Sequence, residues 1–267
     1  MKKYTIAVLV IMMLAGGVYA GGNKDTGGLT MEKGVLTIGM EIGYPPMEYY
    51  DTDAKTPIGF DVELGKAIAA KMGLKAKFID TAWDGIFAGV NTGKYDCIMS
   101  SVTITPARQD AHNFSKPYIS NTLALVVLKG STVTAKTPAD CGGLNVAYQG
   151  DTTADFYMQD LAKNGLQFSP RSYDKVMYCF DELQLKRVDV VLTDLLVAYD
   201  YIAPADSPFE IVWKSPEGEK FGVCMKKGAD ELTAAIDKAL DDLFADGTML
   251  QISQKTFGMD LVTAARQ

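Results

Sequence analysis

The chain has 267 residues, 48% of them apolar, which is enough for a sizeable hydrophobic core without covalent staples. A formal charge of −7 argues against a nucleic-acid partner, and a single histidine, His112, leaves no material for a histidine triad or a multi-histidine metal site. No cofactor is expected. The four cysteines, Cys97, Cys141, Cys179 and Cys224, lack metal-ligand spacing; three disulfide pairings are open to them, and buried free thiols are favoured because Cys97 and Cys224 lie in apolar runs.

The chain opens as an export signal. Lys2 and Lys3 precede the apolar run Ile6 to Leu14, and Val18-Tyr19-Ala20 fits a small-x-small cleavage site, so cleavage after Ala20 is expected. The run is too short to span a bilayer, which needs roughly twenty apolar residues. No cysteine stands at the cleavage point to carry a lipid. Losing Lys2 and Lys3 takes the formal charge to −9. A soluble, exported (periplasmic) chain of about 245 residues remains, enough for one large domain or two smaller ones.

Residues 21–30 are glycine-rich and polar and read as a disordered leader. Leu36 to Met40 follows as a buried strand, then a helix from Asp61 to Met72 closed by Gly73. Ala76 to Ile79 reads as a strand, Trp83 to Val90 as a short helix and Cys97 to Ser101 as a strand, before Thr105-Pro106 opens another helix. The alternation then repeats. Thr122 to Leu128 is a strand, Thr137-Pro138 opens a short helix, and Leu144 to Tyr148 is a strand. Helices are predicted over Thr152 to Asn164 and Ser172 to Arg187, a strand over Val188 to Thr193, and a helix from Asp194. The tail supplies a strand, Phe221 to Met225, and a helix whose Leu232, Ile236, Leu240 and Leu243 recur at three- and four-residue spacing. Repeated βα units imply an α/β fold with mainly parallel sheets. Two halves of about ninety residues leave this tail over, so the first lobe should be discontinuous: 31–119 and 223–267 around a second lobe of 124–214, with crossings at 120–123 and 215–222.

Six strings resemble, in order and spacing, the polar-amino-acid solute-binding proteins of ABC importers, of the lysine/arginine/ornithine-, histidine- and glutamine-binding type. They are GYPPMEY (43–49), IGFDVELGKAIAAKMG (58–73), WDGIFAGVNTGKYDCIMSSVTITPARQ (83–109), VAYQGDTTADFY (146–157), RVDVVLTD (187–194) and KALDDLFADGTMLQISQKTFG (238–258). The resemblance implies two αβ lobes joined by a two-strand hinge, the type II-like periplasmic binding fold, closing on a free amino acid for delivery to a membrane permease. It assigns Arg108 to the α-carboxylate, which a guanidinium fork grips bidentately. Thr103 offers its hydroxyl and N–H, and the Ser101 carbonyl accepts from the α-ammonium. Ser100 faces either the core or the ligand. From lobe 2, Thr152 serves the carboxylate at a helix N-terminus, and Asp194, otherwise a plain N-cap, holds the ammonium. Tyr44 and Trp83 sandwich the ligand side chain, with Glu41 beyond them and Tyr148 and Gln149 adding polar contacts. An acid and two aromatics lean toward a basic ligand, although glutamine binders share the acid and Met47 replaces the usual aromatic after the double proline.

Two rivals remain. A cyclohexadienyl-dehydratase-like enzyme on this fold would use Glu41 or Asp194 as a general acid. A receptor or transglycosylase sensor lobe would need an appended membrane or catalytic domain, which is not expected after the last helix. Non-enzymatic capture by a monomer is the favoured expectation.

Overall fold

The computed structural model describes residues 28–266; the export signal, the cleavage after Ala20 and all but the last three leader residues lie outside it. Alternating βα units build two lobes. The first begins with β1 (Val35–Met40), buried along five of its six residues. A strand covered on both faces reads as such an unbroken apolar run. A small hairpin, β2 (Tyr49–Tyr50) and β3 (Pro57–Ile58), leads to α1 (Phe60–Lys71) and β4 (Lys75–Asp80). Gly59 starts α1 at φ 120, where a β-carbon would stand 2.3 Å from the Met47 carbonyl oxygen, so only glycine fits. A 3-10 turn at Trp83–Gly85 runs into α2 (Ile86–Asn91), followed by β5 (Cys97–Ile98), α3 (Pro106–Ala111) and β6 (His112–Phe114).

The chain crosses through β7 (Ile119–Asn121) into β8 (Leu123–Leu128), β9 (Asn145–Gln149), α4 (Thr153–Lys163), β10 (Ser169–Tyr173), α5 (Val176–Gln184), β11 (Val190–Asp194), α6 (Leu195–Ile202) and β12 (Phe209–Lys214). It returns through β13 (Glu219–Phe221) to β14 (Cys224–Lys226), α7 (Asp230–Ala245) and α8 (Thr248–Phe257). The crossings β7 and β13 pair antiparallel, a two-strand hinge. Lobe 1 carries the sheet β4-β1-β5-β14-β6 and lobe 2 the sheet β10-β9-β11-β8-β12. Four strands of each run one way; the reversed strand, β14 or β8, is the first after a crossing.

Helix α7 buries Leu232, Ile236, Leu240 and Leu243, the stripe its sequence spacing predicts, and packs on α1. Lobe 2 has its own core of Leu125, Val146, Met158, Val190 and Leu192. All four cysteines are buried and unpaired, matching the favoured sequence reading. Met47 is fully buried, as a soft packing residue should be.

Three segments differ from expectation. The helix predicted over Ser172–Arg187 starts only at Val176, because Ser169–Tyr173 forms the exposed edge strand β10, where no buried face marks the period and Pro170 is tolerated. The predicted strand Cys97–Ser101 keeps its ladder only at Cys97–Ile98, since Ser101 turns into the left-handed region at φ 52. Gly222 divides the predicted strand Phe221–Met225 between β13 and β14.

Candidate functional site

The carboxyl ends of β1 and β5, where open α/β sheets place their ligands, form one wall of a cleft. Beyond β1 the chain leaves as Glu41 to Tyr44; beyond β5 it turns at Ser101. That turn carries Ser100, Ser101 and Thr103 along the hinge, where Thr103 bridges Phe221. The Ser101 N–H is held by the buried Asp61 carboxylate at 2.8 Å, while its hydroxyl has no hydrogen-bond partner among the described residues. The Ser100 hydroxyl donates to Glu48 at 2.7 Å and accepts from the Glu41 N–H at 3.0 Å, both within lobe 1.

Thr105 caps α3 by accepting from the Arg108 N–H at 3.2 Å, with Pro106 in the first turn, as the Thr-Pro pair predicts. The helix aims the Arg108 guanidinium into the cleft. There it donates to the carbonyls of Thr103 at 3.1 Å and Asp151 at 3.3 Å, and lies 5.5 Å from the Trp83 ring and 5.2 Å from the Phe87 ring. Cation–π attraction and two carbonyls fix a group that burial would otherwise leave costly. It is not the exposed ion-pair residue that a sequence neighbour such as Asp110 would have made of it.

The opposite wall comes from lobe 2. Thr152 caps α4; its hydroxyl donates to the Gln149 carbonyl at 2.7 Å and accepts from the Asp155 N–H at 3.4 Å, so its own hydroxyl is already engaged. Asp151, at φ 59, presents its carbonyl to Arg108 and to the Trp83 indole N–H at 3.2 Å. Ser101 and Asp151 are thus non-glycine residues at positive φ, one on each wall, a placement that recurs at functional sites. Asp194 stands at the N-cap of α6 but makes no side-chain cap. Its carboxylate accepts instead from the Tyr44 hydroxyl of lobe 1 and from Asn121 of the hinge, both at 2.7 Å.

Ten of the residues singled out from the sequence border one cavity, with Glu48 and Thr153 completing its wall. Tyr148, also named from the sequence, is buried in the lobe 2 core and does not reach it. Glu48 sat inside the GYPPMEY string, but nothing marked it as facing the cavity; Asp151 likewise sat unassigned in QGDTT. Lys175, which reaches across to Glu41, and Asn121 had no sequence signal at all.

Acid crowds this cavity. Burial pushes the Glu41 carboxyl up to about 7, against the pull of the Gln149 amide and the Lys175 ammonium. Burial, with Glu219 nearby, likewise brings Asp194 to about 7 despite the donors Tyr44 and Asn121. Behind them burial, with Asp61 beside it, drives Glu48 well above the carboxylate range, and Asp61 itself rises to about 7. Arg108, its pKa lowered by burial, faces Asp194 and Glu219, while Lys175 stands beside Glu41. An unsatisfied acidic wall opposite a fixed guanidinium favours a ligand that carries both an ammonium and a carboxylate.

Residues 36–259 match the model of the bacterial extracellular solute-binding proteins, family 3. The chain is 29% identical over 261 residues to the L-cystine-binding protein TcyJ of Escherichia coli strain K12, covering 97% of each. It is 30% identical over 279 residues to the L-cystine-binding protein TcyA of Bacillus subtilis strain 168, covering 98% of this chain and 99% of that one. Among solved structures, an ancestral arginine-binding protein bound to arginine superimposes with a TM-score of 0.80 at 34% identity, over 84% of this chain and 99% of its own.

Proposed function

Because the chain belongs to the bacterial extracellular solute-binding proteins, family 3, we propose that it is the extracytoplasmic binding subunit of an ABC importer and that its cavity captures a free polar L-amino acid. The observation that carries this reading is the pairing of Arg108 on one wall with Asp194 on the other, at the two sides of a single cavity. Arg108 takes the α-carboxylate, helped by the Thr103 and Ser101 turn and by the backbone N–H groups at the start of α4. Asp194 takes the α-ammonium. Tyr44 and Trp83 flank the side chain, which runs toward Glu41 and Gln149. The cystine and arginine named for its relatives share this α-amino-acid end and differ beyond it.

Closure is the mechanism. Arg108 and Trp83 belong to lobe 1, Thr152 and Asp194 to lobe 2, with β7 and β13 as the pivot, so a ligand touching both walls stabilises the closed form by its differential affinity. A permease then meets the closed surface of a monomeric carrier, and the lobe boundaries fall at the hinge ladder. Among the described residues no helix is long and apolar enough to cross a membrane.

A thermal-shift screen of the chain from residue 21 against the twenty amino acids and L-cystine tests the reading. A ligand at a hundred times its Kd adds about 2.7 kcal/mol, or roughly 5–10 °C in a chain of this size. No shift with any of them removes the reading. One observation favours the enzymatic rival: carboxyls near pKa 7 in a cleft suit a general acid. Turnover of a prephenate-like acid by the pure protein would establish it in place of capture.

A further inference from the structure

A second pair of opposite charges stands at this cavity: Glu41 lines it, and Lys175 lies beside Glu41. Glu41, 2% exposed, accepts from the Gln149 amide at 2.7 Å through Oε2. Its other oxygen has no hydrogen-bond partner among the described residues and stands 4.0 Å from the Lys175 ammonium. Glu41 belongs to lobe 1, Gln149 and Lys175 to lobe 2, so the cluster forms only across the closed cleft.

The two lobe 2 donors are held as a unit. The Gln149 amide also donates to the carbonyl of Asp174, the residue before Lys175, at 2.9 Å. Lys175 reaches Glu41 by passing over Gly43, its ammonium 3.3 Å from where a β-carbon would stand. Asp80, the other acid near Glu41, has both oxygens engaged, by the Ile42 N–H at 3.1 Å and the Tyr50 hydroxyl at 3.0 Å. Of Asp80 and Glu41, then, Glu41 is the acid with an open acceptor; Glu48 also has one, but Lys175, with donors to offer, stands beside Glu41.

A purely cationic side chain aimed at Glu41 would come within contact range of Lys175, and the repulsion would offset what Glu41 supplies. A neutral side chain would leave Glu41 with its unpaired oxygen. A group carrying both an ammonium and a carboxylate answers both. The geometry points to Lys175 and Glu41 as a second zwitterion clamp, so that the ligand is a diamino dicarboxylic acid, with one α-amino-acid end on Arg108 and Asp194 and the other on Lys175 and Glu41. This rests on the amino-acid-binding reading above. Lys175 is the residue that sets the choice against arginine and lysine.

Calorimetric titration at pH 7.5 with L-cystine, meso-2,6-diaminopimelate, L-arginine, L-lysine and L-glutamine tests it. At least one of the two-ended ligands should bind about tenfold or more tighter than arginine and lysine. In Lys175→Met the two-ended ligand should weaken about tenfold while arginine and lysine hold or gain. Lys175 is a third exposed, so the variant should fold; its thermal unfolding checks this. Arginine or lysine binding tightest to the native protein, or a folded Lys175→Met with an unchanged preference, overturns the clamp and leaves the amino-acid site standing. Binding of none of the five overturns the clamp, while a shift with any other amino acid in the thermal screen keeps the amino-acid site standing.

Discussion

Asp194→Asn should separate folding from binding. Burial raises this carboxyl from an ordinary 3.8 to about 7. The folded ligand-free protein therefore holds the proton more tightly than the unfolded chain, and stability falls as pH rises between about 4 and 7. By pH 8 the ionised form opposes folding by about 4 kcal/mol. Asparagine removes that cost while keeping the shape. Its oxygen still accepts from one of Tyr44 and Asn121, and the Tyr44 hydroxyl can turn to accept from its amide; a poorly paired group costs about 1–3 kcal/mol. The balance is a gain of about 1–3 kcal/mol at pH 8, a rise in Tm of about 2–10 °C, shrinking toward nothing at pH 5. Binding moves the other way, because the ligand ammonium loses a charge-assisted partner worth about 1.5–3 kcal/mol, or roughly 10–150-fold in Kd. Differential scanning calorimetry at the two pH values and isothermal titration with the amino acid selected by the screen read both effects. A lower Tm at pH 8 would refute the burial argument, and an unchanged Kd would refute the assignment of Asp194 to the ligand.

Arg108→Ala should weaken the same ligand at least about tenfold in titration, since one lost charge-assisted pair exceeds 1.4 kcal/mol; full affinity would remove Arg108 from the site. Binding should release protons at pH 6.5, because a ligand ammonium draws Glu41 and Asp194, each at about 7, toward their charged forms. Titration heats in two buffers of unlike ionisation enthalpy should then differ, and affinity should fall as pH drops from 7.5 to 5.5; equal heats count against it. Gly39→Ala should cost about 1–3 kcal/mol in urea unfolding, since its β-carbon would lie 2.5 Å from the buried Tyr95 ring, and an unaltered midpoint would show that the ring can move.

The fold was legible wherever burial imposed a period. Helix α7 announced itself through four apolar residues, and β1 and β11 through runs buried on both faces. Strand β10 was hidden because it lies at an exposed edge, and β6, β12 and β13 because they are short or half-covered. The residues that line the cavity were marked by the family strings rather than by local chemistry. Arg108, Asp194 and eight others meet in one cavity, yet nothing local to Asp194 separates it from an ordinary helix cap. Its carboxylate is placed by Tyr44, 150 residues away, and by Asn121, and the role proposed for it rests on them. Lys175 was illegible for the same reason. It heads α5 in an unremarked stretch, and its meaning comes from Glu41 across the cleft.

The polar contacts that hold the two lobes together use the groups assigned to the ligand. Tyr44 meets Asp194, Glu41 meets Gln149, and Arg108 and Trp83 share the Asp151 carbonyl. A ligand entering this cleft therefore exchanges hydrogen bonds more than it adds them. The net gain per exchanged bond is then nearer the ~1 kcal/mol of an ordinary pairing than the larger gross figure. What the ligand supplies beyond exchange is charge: an ammonium for carboxylates that burial has left partly protonated, and a carboxylate for a guanidinium whose hydrogen bonds go to carbonyls. Selectivity for zwitterions follows from this arrangement, because a neutral polar molecule of the same shape could replace the hydrogen bonds but would leave the charges of both walls unanswered.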